Sequence, residues 1–76
     1  CVIHAGAVIG DLPQDRAYAG GESFVSVGEE TIIREYVTIH RGTKAGTHTV
    51  GGRGCMLMAH SHVGHNCTLG DHAILV

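Results

Sequence analysis

The chain has 76 residues, a formal net charge of −2 and a hydrophobic content of 43%. Its five Lys and Arg residues are scattered and its three aromatic residues form no stacking platform, so nucleic-acid binding is not expected. No apolar run is long enough for a transmembrane helix. These properties indicate a small domain, and the spacing of its apolar residues is the best guide to its fold.

The clearest pattern is an aliphatic residue at every sixth position. Counting by six from Leu69 in both directions reaches thirteen positions, and nine of them are Ile, Leu or Val. Small or β-branched residues occupy the positions two residues earlier. A helix repeats its apolar residues every 3.6 positions and a half-buried strand every second position, whereas a period of six is typical of the hexapeptide β-helix. Ordinary alternating strands in a sandwich would not keep both registers.

The hexads predict an all-β fold, a left-handed parallel β-helix with about four coils of about 18 residues each. Residues 1–10 form about two strands, and residues 25–41 and 55–76 continue the hexads. Between them, Gly, Pro, Asp and Thr residues predict two excursion loops near residues 11–24 and 42–54. Solenoids need terminal caps, and both ends here carry apolar repeats, so we expect residues 1–76 to be one β-helix unit of a longer chain.

Three cysteines occupy the small inward position of the hexads, namely Cys1, Cys55 and Cys67. In that position a thiol is expected to act as a compact apolar filler rather than as a metal ligand or disulfide partner. An odd number of cysteines without paired spacing fits a reducing compartment, so we expect a cytoplasmic protein.

Three histidines within six residues, His60, His62 and His65, suggest chemistry on the outer surface of the prism. His62 and His65 flank one corner, where an imidazole could accept a proton from a hydroxyl near neutral pH. No nucleophile with supporting groups accompanies them, so the sequence favours general-base over covalent catalysis.

A zinc site like that of γ-class carbonic anhydrases is the alternative for these histidines. It requires a third histidine about 18 residues away or across a subunit interface. His40 lies twenty residues before His60, which places it slightly out of stack. No metal is therefore expected.

Three motifs carry a resemblance to a known family: PQDRAYAGGE at residues 13–22, TIHRGT at 38–43 and LMAHSHVGHNC at 57–67. In this order they resemble the acyl-(acyl-carrier-protein)–UDP-N-acetylglucosamine O-acyltransferases, which start lipid A synthesis in Gram-negative bacteria. The resemblance spans essentially the whole chain.

The resemblance implies a homotrimer of left-handed β-helices with active sites between subunits. It also implies transfer of a 3-hydroxyacyl chain from acyl carrier protein to the 3-hydroxyl of UDP-N-acetylglucosamine, without a metal or other cofactor. By position, His65 matches the family's catalytic base and His62 a substrate-contacting histidine. Gln14 and Asp15 match loop residues that hold the substrates, and His60 is a bystander.

Departures from the family pattern leave one alternative open. The residue after the catalytic histidine is commonly Asp, and Asn66 would not neutralise the imidazolium, which predicts a weaker base. A common Lys is replaced at Ala17. The family's oxyanion donor, acyl-length ruler, nucleotide contacts and C-terminal helices are expected after Val76. The His-Asn pair also suits the related N-acyltransferases that act on UDP-3-O-acylglucosamine, although these usually have Asp where the chain has His40.

Overall fold

The computed structural model describes all 76 residues and contains nine short β-strands and no helix. It therefore has no helix that could cross a membrane. All strand pairings are parallel. The strands are β1 (Val2–Ile3), β2 (Val8–Asp11), β3 (Phe24–Val27), β4 (Ile32–Ile33), β5 (Thr38–His40), β6 (His48–Gly51), β7 (Met56–Leu57), β8 (His62–Val63) and β9 (Ile74–Leu75).

Consecutive strands belong to three different sheets, so the chain winds around a three-sided prism. The sheets have the orders β1-β4-β7-β9, β2-β5-β8 and β3-β6, and a single bridge between Val50 and Thr68 extends the third. The chain completes three coils and the first strand of a fourth. This fold is the parallel β-helix of the left-handed hexapeptide class, and it confirms the predicted fold class.

The strand register locates the two excursions. Val2 pairs with Ile32, Ile32 with Met56 and Met56 with Ile74, at separations of 30, 24 and 18 residues. The last separation corresponds to three hexads, so the first coil carries twelve additional residues and the second carries six. These residues lie in the segment 12–23, between β2 and β3, and in the segment 41–47, between β5 and β6.

The second excursion is shorter than the predicted loop 42–54, because residues 48–51 form strand β6. The Thr and Gly content of this stretch suggested a loop. Thr49 is nevertheless completely buried, and its hydroxyl accepts a hydrogen bond from the backbone N–H of Asn66 at 2.8 Å. A threonine whose hydroxyl has a partner can fill an inward position in place of an aliphatic residue.

Both inward registers supply the hydrophobic core, which consists of Ile33, Val37, Ile39, Cys55, Leu57 and Val63. Cys55 is buried in this core, as expected of a compact inward filler, whereas Cys1 and Cys67 are exposed in the present chain. Cys1 lies in the first coil, and no strand of this chain stacks beyond Cys67.

The corners of the prism are tight turns whose second residue has a positive φ. Five non-glycine residues adopt this left-handed conformation: Glu30, Tyr36, His60, Asn66 and His72. Asn is one of the few L-residues that tolerate it well. Asn66, with φ of 60°, is therefore well suited to the corner directly after His65.

Candidate active site

The two excursions and the corner after β8 meet at one place on the surface. Excursion 12–23 contributes Asp15, excursion 41–47 contributes Thr43, and the corner contributes His65. The Oδ2 atom of Asp15 lies 3.4 Å from Nε2 of His65, and the two side chains are 28% and 39% exposed. Residues that are fifty positions apart in sequence thus face one another on the folded chain.

Hydrogen bonds fix the carboxylate of Asp15. Its Oδ1 accepts from the backbone N–H of Ala17 at 3.0 Å, and its Oδ2 accepts from the hydroxyl of Thr43 at 2.9 Å. These two bonds lower the pKa of Asp15 below its usual value, and the charge of His65 adds a smaller effect in the same direction. Residue 17 acts here through its backbone, which any residue other than proline provides.

The side chain of Asn66 is directed to the second excursion. Its Oδ1 accepts from the backbone N–H of Thr43 at 2.9 Å, and its Nδ2 donates to the carbonyl oxygen of His48 at 3.5 Å. The carboxylate that faces His65 belongs to Asp15. Replacement of the usual Asp by Asn66 therefore leaves His65 with a negatively charged neighbour.

A second cluster, which sequence analysis did not identify, lies beside this pair. His62 Nδ1 is 2.7 Å from the hydroxyl of Thr38, and the ring of His62 packs edge-on against His40 with centroids 4.9 Å apart. His40 is only 7% exposed, and its Nδ1 has no partner. The correct stacking offset of 24 residues, from Thr38 to His62, differs from the assumed 18 because of the second excursion.

Burial of His40 predicts a pH-dependent stability. The pKa of His40 is lowered first by burial and then by the charges of His62 and His65, against an opposing effect of Asp11. Below the unfolded-state pKa of about 6.5, the unfolded chain binds a proton that the folded chain does not. We therefore expect the free energy of unfolding to fall as the pH decreases below about 6.5.

The variant His40→Gln should lose part of this dependence. Urea unfolding of the two proteins at about pH 7.5 and pH 5 measures it. An identical decrease in both proteins would show that His40 does not contribute.

The remaining predicted residues take no part in these contacts. Gln14 is exposed next to Asp15 and makes no side-chain hydrogen bond within the chain. His60 stacks on Tyr36, with ring centroids 5.4 Å apart. No three His, Cys, Asp or Glu side chains lie close enough to hold a metal ion, and the single chain encloses no pocket at this corner.

The fold defines a hexapeptide-repeat β-helix protein. On its outer surface an imidazole, a carboxylate and a hydroxyl, those of His65, Asp15 and Thr43, lie together. The curated proteins that this chain is similar to are acyl-(acyl-carrier-protein)–UDP-N-acetylglucosamine O-acyltransferases, so the resemblance predicted from the motifs is confirmed. The protein of Chlorobaculum parvum is 52% identical over 67 residues, or 88% of this chain and 25% of the relative. That of Synechocystis is 51% identical over 73 residues, or 96% and 26%. That of Aquifex aeolicus is 58% identical over 66 residues, or 86% and 25%.

The chain spans about a quarter of the length of these relatives. No family model matches it. No solved structure matches it either.

Proposed function

We propose that this chain is part of an enzyme that transfers a 3-hydroxyacyl chain from acyl carrier protein to the 3-hydroxyl of UDP-N-acetylglucosamine, the first step of lipid A synthesis. The similarity to relatives with that name supports the reaction class. The single structural observation that carries the proposal is the contact between His65 and Asp15, 3.4 Å apart and accessible to a ligand.

In this proposal His65 is the general base. It takes the proton of the sugar hydroxyl while the oxygen attacks the thioester carbonyl of the acyl donor. The new ester C–O bond forms, the C–S bond breaks, and the proton passes from His65 to the departing thiolate. The carboxylate of Asp15 stabilises the imidazolium intermediate, whichever ring nitrogen accepts the proton of the sugar hydroxyl.

The substrate-binding roles proposed for His62, Gln14 and Asp15 rest on the resemblance of the motifs, and their neighbouring positions support them. His62 lies on the strand directly before the corner, and Gln14 adjoins Asp15 on the first excursion. A homotrimer with the substrate cleft between subunits is proposed as well. It fits a site that lies open on a single chain, because binding sites for small molecules are normally concave.

The second candidate is N-acyl transfer to UDP-3-O-acylglucosamine, which the His65-Asn66 pair favours. The two candidates differ in the attacking atom, a hydroxyl oxygen or an amine nitrogen. The full-length protein should be given 3-hydroxyacyl carrier protein and equal amounts of both acceptors, with products separated by mass. We expect the ester of UDP-N-acetylglucosamine. Exclusive formation of the amide would replace the first candidate with the second.

A further inference from the structure

We propose that Asn66 and Thr43 are positioning residues that hold Asp15 against His65, so that Asn66 acts through the second excursion and not directly on the imidazole of His65. This inference rests on the proposed function for its kinetic consequences. Its structural basis is a closed ring of contacts: His65 precedes Asn66 in the chain, Asn66 binds Thr43, Thr43 binds Asp15, and Asp15 faces His65.

The first contact of the ring, between Asn66 and Thr43, starts from a fixed backbone position at Asn66. The backbone N–H of Asn66 donates to Thr49, which is completely buried, and its left-handed φ of 60° sets the direction of its side chain. From there Oδ1 accepts the N–H of Thr43 at 2.9 Å. The third coil thus fixes the position of an excursion that leaves the second coil.

The second contact, between Thr43 and Asp15, joins the second excursion to the first. Thr43 is 9% exposed, and its hydroxyl donates to Oδ2 of Asp15 at 2.9 Å. The same oxygen lies 3.4 Å from Nε2 of His65. Further bonds join the two excursions, from Ser23 to the carbonyl of Gly42 and from the N–H of Gly46 to the carbonyl of Glu22. The orientation of Asp15 therefore depends on the second excursion.

The ring defines which substitutions should be tolerated. Position 66 needs an acceptor oxygen at the end of a short side chain and tolerance of a positive φ. Asn66→Asp keeps that oxygen and loses only the long, 3.5 Å bond from Nδ2 to the carbonyl of His48, whereas Asn66→Gly removes both without adding backbone strain. A role in base strength predicts the opposite for Asp, namely a faster enzyme with a shifted pH profile.

The test measures two quantities in the full-length protein. The first is the carboxyl pKa of Asp15, followed by NMR titration. The second is the pH profile of kcat/KM for acyl transfer. Asn66→Gly should raise the pKa of Asp15 toward its usual value and lower kcat/KM about five- to tenfold, because one net hydrogen bond is lost from the ring. Asn66→Asp should stay within about threefold of the wild type and keep the shape of the profile.

The matched controls separate this role from general effects on the fold. Glu30→Gly removes an exposed side chain from a corner residue with φ of 62° and should change neither quantity. Thr43→Ser keeps the hydroxyl and should retain the Asp15 pKa, whereas Thr43→Val should raise it. His40, whose pKa is affected by the charge of His65, is unchanged in all these variants.

The outcomes for the ring and for the proposed function can be distinguished. An unchanged Asp15 pKa in both Asn66→Gly and Thr43→Val would overturn the ring, with or without acyltransferase activity. A faster Asn66→Asp enzyme with a shifted profile would overturn it as well. A wild-type protein that transfers no acyl chain would refute the proposed function, while the Asp15 titrations would still decide the ring.

Discussion

The variant His65→Ala of the full-length protein is expected to lower kcat/KM for acyl transfer by about 10²- to 10⁴-fold, the range that a positioned general base contributes. The side chain of His65 is 39% exposed, and its only polar contact is with Asp15. Its removal should therefore leave the β-helix folded. The loss should appear in kcat, since the transferred proton moves only as the transition state is reached.

Two controls make this result specific. His65→Gln keeps a polar side chain of similar size but has no group that can accept a proton at neutral pH, so it should be as impaired as the alanine variant. His4→Ala, in the first coil, should retain full activity. Unchanged turnover in both His65 variants, with folding verified by circular dichroism, would remove His65 from the catalytic role.

The second large effect concerns the close approach of successive coils at Gly52. A Cβ added to Gly52 would lie 2.7 Å from the carbonyl carbon of Gly70 and 2.8 Å from the nitrogen of Asp71, both backbone atoms of the next coil. Backbone cannot move aside without separating the coils. We therefore expect Gly52→Ala to lower the free energy of unfolding by about 1–3 kcal/mol, as overpacking of a core does.

The neighbouring residue provides the control for this prediction. A Cβ on Gly51 would meet its nearest atom at 3.7 Å, an ordinary van der Waals contact, and its φ is not positive. Gly51→Ala should be neutral or slightly stabilising, because it restricts the unfolded chain. Urea unfolding of the two variants measures the difference. Equal stabilities would show that the coils can separate at Gly52 at little cost.

The sequence predicted the prism because its core follows a simple period. Ile33, Leu57 and Val63 point inward and are separated by multiples of six residues, so no long-range information is needed to place them. The same rule places Cys67 inward, and its thiol is exposed in the present chain. It also missed the burial of His40, whose ring packs edge-on against His62.

The contacts of the candidate site could be predicted from the sequence less well than the core. The histidine cluster drew attention to His62 and His65, but Asp15 was selected only by the resemblance of its motif. No periodic pattern relates positions on an irregular excursion to a corner two coils away. Because Asn66 directly follows His65 in the chain, sequence analysis predicted that it would make His65 a weaker base. The folded protein directs that amide to Thr43 and brings a carboxylate to His65 from the first excursion.

If His65 is the general base, the reacting hydroxyl of the sugar lies at the corner formed by His65 and Asp15. A crystal structure of the full-length protein with UDP-N-acetylglucosamine measures this directly. We predict that the 3-hydroxyl oxygen lies within about 2.6–3.2 Å of a ring nitrogen of His65, the distance that proton transfer requires. A nucleotide sugar bound with that hydroxyl remote from His65 would contradict the account.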